Sequence, residues 1–314
     1  MDREVLKKAL GVRYIRLRFQ VIMTEDTELP YYKSFALRGG IGEMLLRQNC
    51  VYDRDKCREC GFVEECIVKR VMYAKPEISI PFMTSGESLG YNLECIDHRT
   101  SFRSGDILEF HLVLFGKCIS YFWQYLQAVS ALGMEGIGKA KAHFQIYQVL
   151  NIRKRPIVSG DRVHKDAYEW EKVSEYVERR LRYLERTNGV CEISFMTPAT
   201  LKYQGEFLKE FQSDAFIKAV LRRIYMMACF EGLGLEQIIY EGAIPIITSQ
   251  EVRLCSIQRY SSTQNTKIPL KGMEGRIELR EVSEILLACI AAGEVLHIGK
   301  NSSFGFGMYR VHVS

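Results

Sequence analysis

The residues best suited to chemistry stand together in His297-Ile-Gly-Lys-Asn-Ser-Ser-Phe-Gly-Phe-Gly-Met-Tyr-Arg-Val311. Gly299, Gly305 and Gly307 allow positive φ and close backbone approach, and Lys300, Asn301, Ser302 and Ser303 supply donors between them, a combination that suits a phosphate. His297 can carry a proton near neutral pH, and Lys300, three residues on, can stabilise charge that builds on a phosphoryl group. Two nucleotide motifs fail here. Five residues separate Gly293 from Gly299 where a P-loop has four, Asn301 stands where Ser or Thr would hold magnesium, and no Gly-x-Gly-x-x-Gly occurs in the loop. The alternatives without a ligand are a glycine-rich hairpin and a histidine buried against the preceding helix.

Three further sets carry chemistry. Cys50, Cys57, Cys60 and Cys66 lie in a polar stretch that apolar packing does not explain, and in a reducing compartment their spacing points to a structural zinc, with an iron–sulfur cluster or reduced thiols as alternatives. Arg259-Tyr260-Ser261 pairs a guanidinium with an aromatic face, the combination that grips single-stranded RNA, and Lys267, Lys271 and Arg276 follow around Gly272 and Gly275. His98, in Asp97-His-Arg-Thr100, sits in a loop pattern and is the second candidate proton carrier, whereas His111 and His143 fall within strands and read as structural.

The glycine-rich stretch has a counterpart that must be positioned in the same way. In Gly133-Met-Glu-Gly-Ile-Gly-Lys-Ala-Lys-Ala-His-Phe-Gln-Ile-Tyr-Gln-Val149, Ile137-Gly138-Lys139 matches Ile298-Gly299-Lys300, and Tyr147-Gln148-Val149 matches Tyr309-Arg310-Val311, which adds Lys139 and Lys141 as candidate RNA contacts. An apolar helix precedes each loop, roughly Cys118 to Leu132 and Val282 to Ala292. The remaining periodicities give strands at Tyr14–Met23, Ile78–Met83, Asp106–Phe115, Cys191–Met196 and Val252–Ser262. Helices are expected at Ser34–Gln48, at Tyr168–Arg186 with its acids and arginines paired in solvent or, as the alternative, its arginines on RNA, and at Asp214–Phe230 capped by Ser213 or Asp214. Leu37-Arg-Gly-Gly40 is costly inside a helix and implies a close approach by a partner backbone or by the sheet.

Each half therefore reads as strand, helix, strand, strand, helix, glycine-rich loop, strand, which is an α+β class of two tandem ferredoxin-like, RNA-recognition-like domains. The expected division is residues 1–150, with the cysteine insertion at 50–66, a connector at 151–188, and residues 189–314. The 314 residues, 47% hydrophobic and 26% charged, suit two globular domains. The net charge of +5 neither requires nor excludes nucleic acid. No long apolar run and no signal-like start occur, so the expected setting is the cytoplasm without a membrane partner.

These residues together carry a resemblance to the CRISPR repeat-processing endoribonucleases of the RAMP (repeat-associated mysterious protein) superfamily. The matching features are Leu37-Arg38-Gly39 with the cysteines after it, Leu201-Lys202 after Thr197-Pro198, Arg259-Tyr260-Ser261 with Gln264, Gly272 to Gly275, Gly293-Glu294, and His297-Ile-Gly-Lys300 leading to Phe304-Gly-Phe-Gly307. The resemblance implies binding of CRISPR repeat RNA, single-stranded or hairpin. It also implies cleavage by 2′-hydroxyl attack without a catalytic cofactor, leaving a 2′,3′-cyclic phosphate and a 5′-hydroxyl. A non-catalytic RNA-binding subunit of a CRISPR effector complex is the alternative on the same fold. The chain departs from the pattern at Thr263, where an arginine is usual, and at Lys271, where the first of two glycines is usual. Many relatives place the catalytic histidine in or near the first helix, and Tyr31 to Gln48 contains none; a site there would use His98 with Tyr32 and Lys33 as helpers.

Overall fold

A computed structural model describes residues 2–53, 57, 59–83, 87–184, 190–261 and 266–313. The helix α1 (Arg3–Ala9) is capped by Asp2, whose carboxylate accepts from the Val5 amide. The strand β1 (Arg13–Met23) follows and then α2 (Ser34–Asn49), α3 (Ile67–Met72), β2 (Tyr91–Glu94), β3 (Ile107–Phe115), α4 (Phe122–Glu135), β4 (Phe144–Leu150) and β5 (Pro156–Ser159). In the second half come α5 (Val173–Leu184), β6 (Cys191–Ala199), the short hairpin β7 (Lys202–Tyr203) and β8 (Glu206–Phe207), α6 (Ser213–Glu231), β9 (Ile246–Ser261), β10 (Thr266–Arg280), α7 (Glu284–Leu296) and β11 (Tyr309–Val313).

Two compact units result. One comprises Arg13–Pro76 and Pro81–Glu171, the other Met1–Val12, Glu77–Ile80 and Lys172–Ser314. In the first, antiparallel strands lie in the order β2-β3-β1-β4-β5. Alternation along β1 sends Ile15, Leu17, Phe19, Val21 and Met23 into a core shared with Leu37, Ile41 and Leu45 of α2 and with Tyr125, Val129 and Leu132 of α4. The opposite face carries the ion pairs Arg16–Glu94 and Arg18–Glu109. In the second unit the order is β9-β10-β6-β11. In each sheet the first and third ferredoxin strands lie side by side at the centre and the second and fourth outside them, so both units are ferredoxin-like, an α+β architecture built twice. No helix among the described residues is long and apolar enough to cross a membrane.

Several local expectations change. The strand expected at Ile78–Met83 does not form; Ile78 is exposed and Tyr91–Glu94 takes that place in the sheet. The connector is divided, with residues 151–171 in the first unit and α5 in the second. Arg180 of α5 is not paired in solvent: its Nε lies 2.8 Å from Oε2 of the buried Glu294, which also accepts from the Tyr176 hydroxyl at 2.7 Å and the Val311 amide at 2.9 Å. Glu185 and Arg186 lie outside the described residues. At α6 the cap position is Gln212, because the Ser213 hydroxyl accepts from the Ile247 amide and Asp214 is held by Lys218 and Tyr203. Gly40 makes room for Leu132 of α4, since a Cβ there would stand 2.4 Å from Leu132 Cδ1, so helix-to-helix packing explains that glycine.

Candidate active site and nucleic-acid interface

The second unit contains the glycine-rich loop. The chain leaves α7 at His297 with φ 60° and ψ 164°, then passes Gly299, Asn301, Gly305 and Gly307 at φ between 66° and 84°. The loop is pinned to the end of β6: the Lys300 amide donates to Thr200 O at 3.0 Å, the Gly307 amide to Pro198 O at 2.8 Å, and the Thr197 hydroxyl to Gly305 O at 2.7 Å. A Cβ on Gly307 would lie 1.9 Å from Ile298 O, so this crossing tolerates no side chain. Ser302 and Ser303 are buried. Among the described residues the amides of Gly299, Asn301, Ser302 and Ser303 have no backbone partner, and the Lys300 ammonium lies 5.8 Å from the Phe207 ring centre.

His297 is fully buried, with Nδ1 3.2 Å from Phe306 O. In this arrangement the ring is shielded from solvent, as in the alternative of a histidine buried against the preceding helix. The basic residues of the loop's first-unit counterpart, Lys139 and Lys141, are exposed.

The long hairpin of β9 and β10 carries the other candidates. Arg259 pairs with Ile268 and Tyr260 with Lys267 in the backbone register, and Arg276 is ion-paired with Glu251 at 2.8 Å. Pairing of β10 with β6 ends at Met273, so residues 266–272 form, among the described residues, a two-stranded arm with β9 alone. Thr263 and Gln264 lie outside the described residues.

The four cysteines do not reach ligand geometry. Among the described residues no three His, Cys, Asp or Glu side chains are gathered so as to hold a metal, and the expected zinc is not supported by this arrangement. Burial pushes the Cys57 thiol up and the neighbouring Cys50, Cys66 and Cys60 add to it, so the four share one electrostatic neighbourhood. Residues 54–56 and 58, between them, lie outside the described residues.

The first unit gathers a different set just before α2. The His98 ring stacks on Tyr31 at 4.2 Å with an interplanar angle of 6°, and meets the edge of Tyr32 at 5.6 Å. His98 Nδ1 lies 3.3 Å from Tyr31 O; protonation at Nδ1 leaves Nε2 as the basic nitrogen. Lys33 is fully buried beneath this loop, and its ammonium donates to Asp97 O at 2.8 Å and to Arg99 O, the carbonyls on either side of His98. Burial lowers the Lys33 pKa. Arg99 closes the loop through the Asp97 carboxylate at 2.6 Å and Ile107 O at 2.7 Å, with its guanidinium 4.6 Å from the Phe102 ring centre. Burial raises the Asp97 pKa, but the Arg99 hydrogen bonds outweigh it and hold the carboxyl below its usual range. His111 and His143 are structural by contrast: burial pushes His111 down to about 4, and His143 is 2.7 Å from Glu25. Tyr31 is not among the residues that the sequence points to; the pair of aromatic residues before a lysine, Tyr31-Tyr32-Lys33, is the signal it offers.

The comparisons agree with this architecture. Residues 11–170 match a family model described as an N-terminal domain, just over half of the chain, so the chain belongs to that family. Residues 193–309 match the CRISPR-associated endoribonuclease Cas6. Over those residues the chain is similar to that endoribonuclease family. An uncharacterized protein of Archaeoglobus fulgidus is 23% identical over 305 residues, covering 90% of this chain and 92% of its own. Among solved structures, Thermus thermophilus Cas6 matches with a TM-score of 0.52 and 10% identity over 96% of this chain and 99% of that one. A chain of a partial Cas6-RT-Cas1–Cas2 complex matches with a TM-score of 0.59 and 12% identity over 96% of this chain. This chain spans less than half of that longer one, 46%. At such identities these structures share the fold.

Proposed function

We propose that the chain cuts CRISPR repeat RNA at the His98 site, by attack of a repeat 2′-hydroxyl on the adjacent phosphate, without a metal, leaving a 2′,3′-cyclic phosphate and a 5′-hydroxyl. The observation that carries this is the half-exposed His98 held flat on Tyr31. Histidine ordinarily titrates near neutrality, so Nε2 can take the 2′-hydroxyl proton or return one to the departing 5′-oxygen. Tyr31 and Tyr32 fix the plane of the ring, and Lys33 is a positioning residue that holds the backbone on both sides of it. The glycine-rich loop, Lys139, Lys141 and the hairpin residues Arg259, Tyr260, Lys267 and Arg276 serve in this reading to bind the RNA.

The test is single-turnover cleavage of labelled repeat RNA in the presence of chelator. His98→Ala is expected to lose roughly 100-fold or more in rate while still binding RNA. Lys33→Met should lower the rate less, by disordering the loop. A His98→Ala protein that cuts like the parent would remove the assignment. Repeat RNA bound but left intact by the parent would make the chain a non-catalytic subunit instead.

A further inference from the structure

An exposed aromatic ring stands beside the glycine-rich loop with the ammonium groups of two lysines around it. Lys202 and Phe207 are direct cross-strand partners in the hairpin of β7 and β8, so their side chains share one face, while Tyr203 and Glu206 share the other. The turn between them runs through Gln204 at φ 48° and Gly205 at φ 91°, the left-handed pair a two-residue hairpin requires. Phe207 is 53% exposed. The ammonium of Lys202 lies 5.7 Å from its ring centre and that of Lys300 5.8 Å. The two lysines come from separate segments brought together by the Thr200–Lys300 bridge, and the Leu208 amide returns the hairpin to Leu201 O at 3.0 Å. Among the described residues neither lysine has a carboxylate partner; the nearby Asp214 is met by Lys218 and Tyr203. A rigid apolar ring open to solvent, two ammonium groups and loop amides beside them fit an anion attached to a flat aromatic group.

We infer that Phe207, Lys202 and Lys300 form a subsite for one nucleotide of single-stranded RNA, the base stacked on Phe207 and its phosphate between the two ammoniums. This rests on the reading of the chain as an RNA-processing protein. The strand must be unpaired there, because only a splayed base offers its face, and a ring without hydrogen-bonding groups accepts any base. Lys300 thereby serves to hold the chain of the substrate.

The experiment uses the whole chain and a fluorescein-labelled, unstructured single-stranded RNA. Phe207→Ala should raise Kd about tenfold, the size expected for one stacked base. Phe207→Trp should bind as the parent, and RNA should quench the added indole fluorescence. Lys202→Ala and Lys300→Ala should each lower the slope of log Kd against log salt by about one. If the parent binds and His98→Ala stops cleavage, yet Phe207→Ala binds as the parent and Phe207→Trp is not quenched, the subsite falls and the proposed function stands. If the parent neither binds nor cuts RNA, both fall.

Discussion

The turns that follow α4 and α7 grow from similar sequence and end in different structures. After α4 the chain turns at Gly136, φ 87°, and closes on itself through Ile137 and Ala142. After α7 it turns at His297, φ 60°, and closes on Thr197, Pro198 and Thr200 of another segment. The following strands differ too. Tyr147 is the residue skipped where β4 shifts register against β1, and it is 51% exposed; Tyr309 is fully buried and donates its hydroxyl to Ile290 O at 2.6 Å. The repeated motif sets the backbone turn, and the segment to which the loop is fastened decides what it displays.

The comparison can be broken most severely at the anchor of the second copy. Arg180→Ala leaves Glu294 buried without its cation and should cost about 3–5 kcal/mol in a urea melt. A loss under about 1 kcal/mol would mean that α7 is held by apolar packing alone. The glycines offer the next test. Gly307→Ala sets a methyl against Ile298 O and should cost more than about 3 kcal/mol, whereas Gly138→Ala, with φ 72° and open space around it, should cost about 1–2 kcal/mol. Equal costs would show that both loops are equally closed.

A finer test concerns the position shared by Gly136 and His297. With φ 60° and ψ 164°, His297 occupies backbone space that glycine takes without strain. His297→Gly should therefore be more stable than His297→Ala by about 1 kcal/mol, and a reversed order would show that the chain entropy lost with glycine outweighs the backbone strain. The smallest effect on cleavage is expected at the cluster of Cys50, Cys57, Cys60 and Cys66 in the first unit. Metal analysis of protein prepared without chelator checks their state: about one zinc per chain would mean that the four thiolates, not gathered as ligands among the described residues, close round a metal when they bind it. No zinc or iron, with four freely titrating thiols, would leave them as reduced thiols.

The ferredoxin order was legible because strand alternation and helix spacing are local, as in Ile15 to Val21 and Leu37 to Leu45, and because the motif repeats. The site was legible only in part. The loop pattern around His98 and the nearby Tyr32 and Lys33 are visible in the sequence, but nothing local says that Lys33 is buried and tied to the carbonyls around His98. His297 looked reactive because its neighbours suit phosphate; its burial depends on the packing of β11 and α7, which sequence spacing does not report. Arg180 likewise had acids nearby in sequence, and Glu294, more distant in the chain, took it. Phe207 and Lys300 meet only because Thr200 pairs with Lys300.

The membership of α1 in the second unit bears on the order of synthesis. Leu10 and Val12 accept from the amides of Ser174 and Val173, Lys8 donates to Gly234 O, and Arg3 is paired with Glu284. A ribosome therefore releases the first unit's residues complete while α1, made earlier, still lacks every one of these partners. At about 5–20 residues per second, that helix waits on the order of ten seconds or more for α7. During that interval its apolar side, Leu6 and Ala9, is a surface that nascent-chain chaperones would be expected to meet.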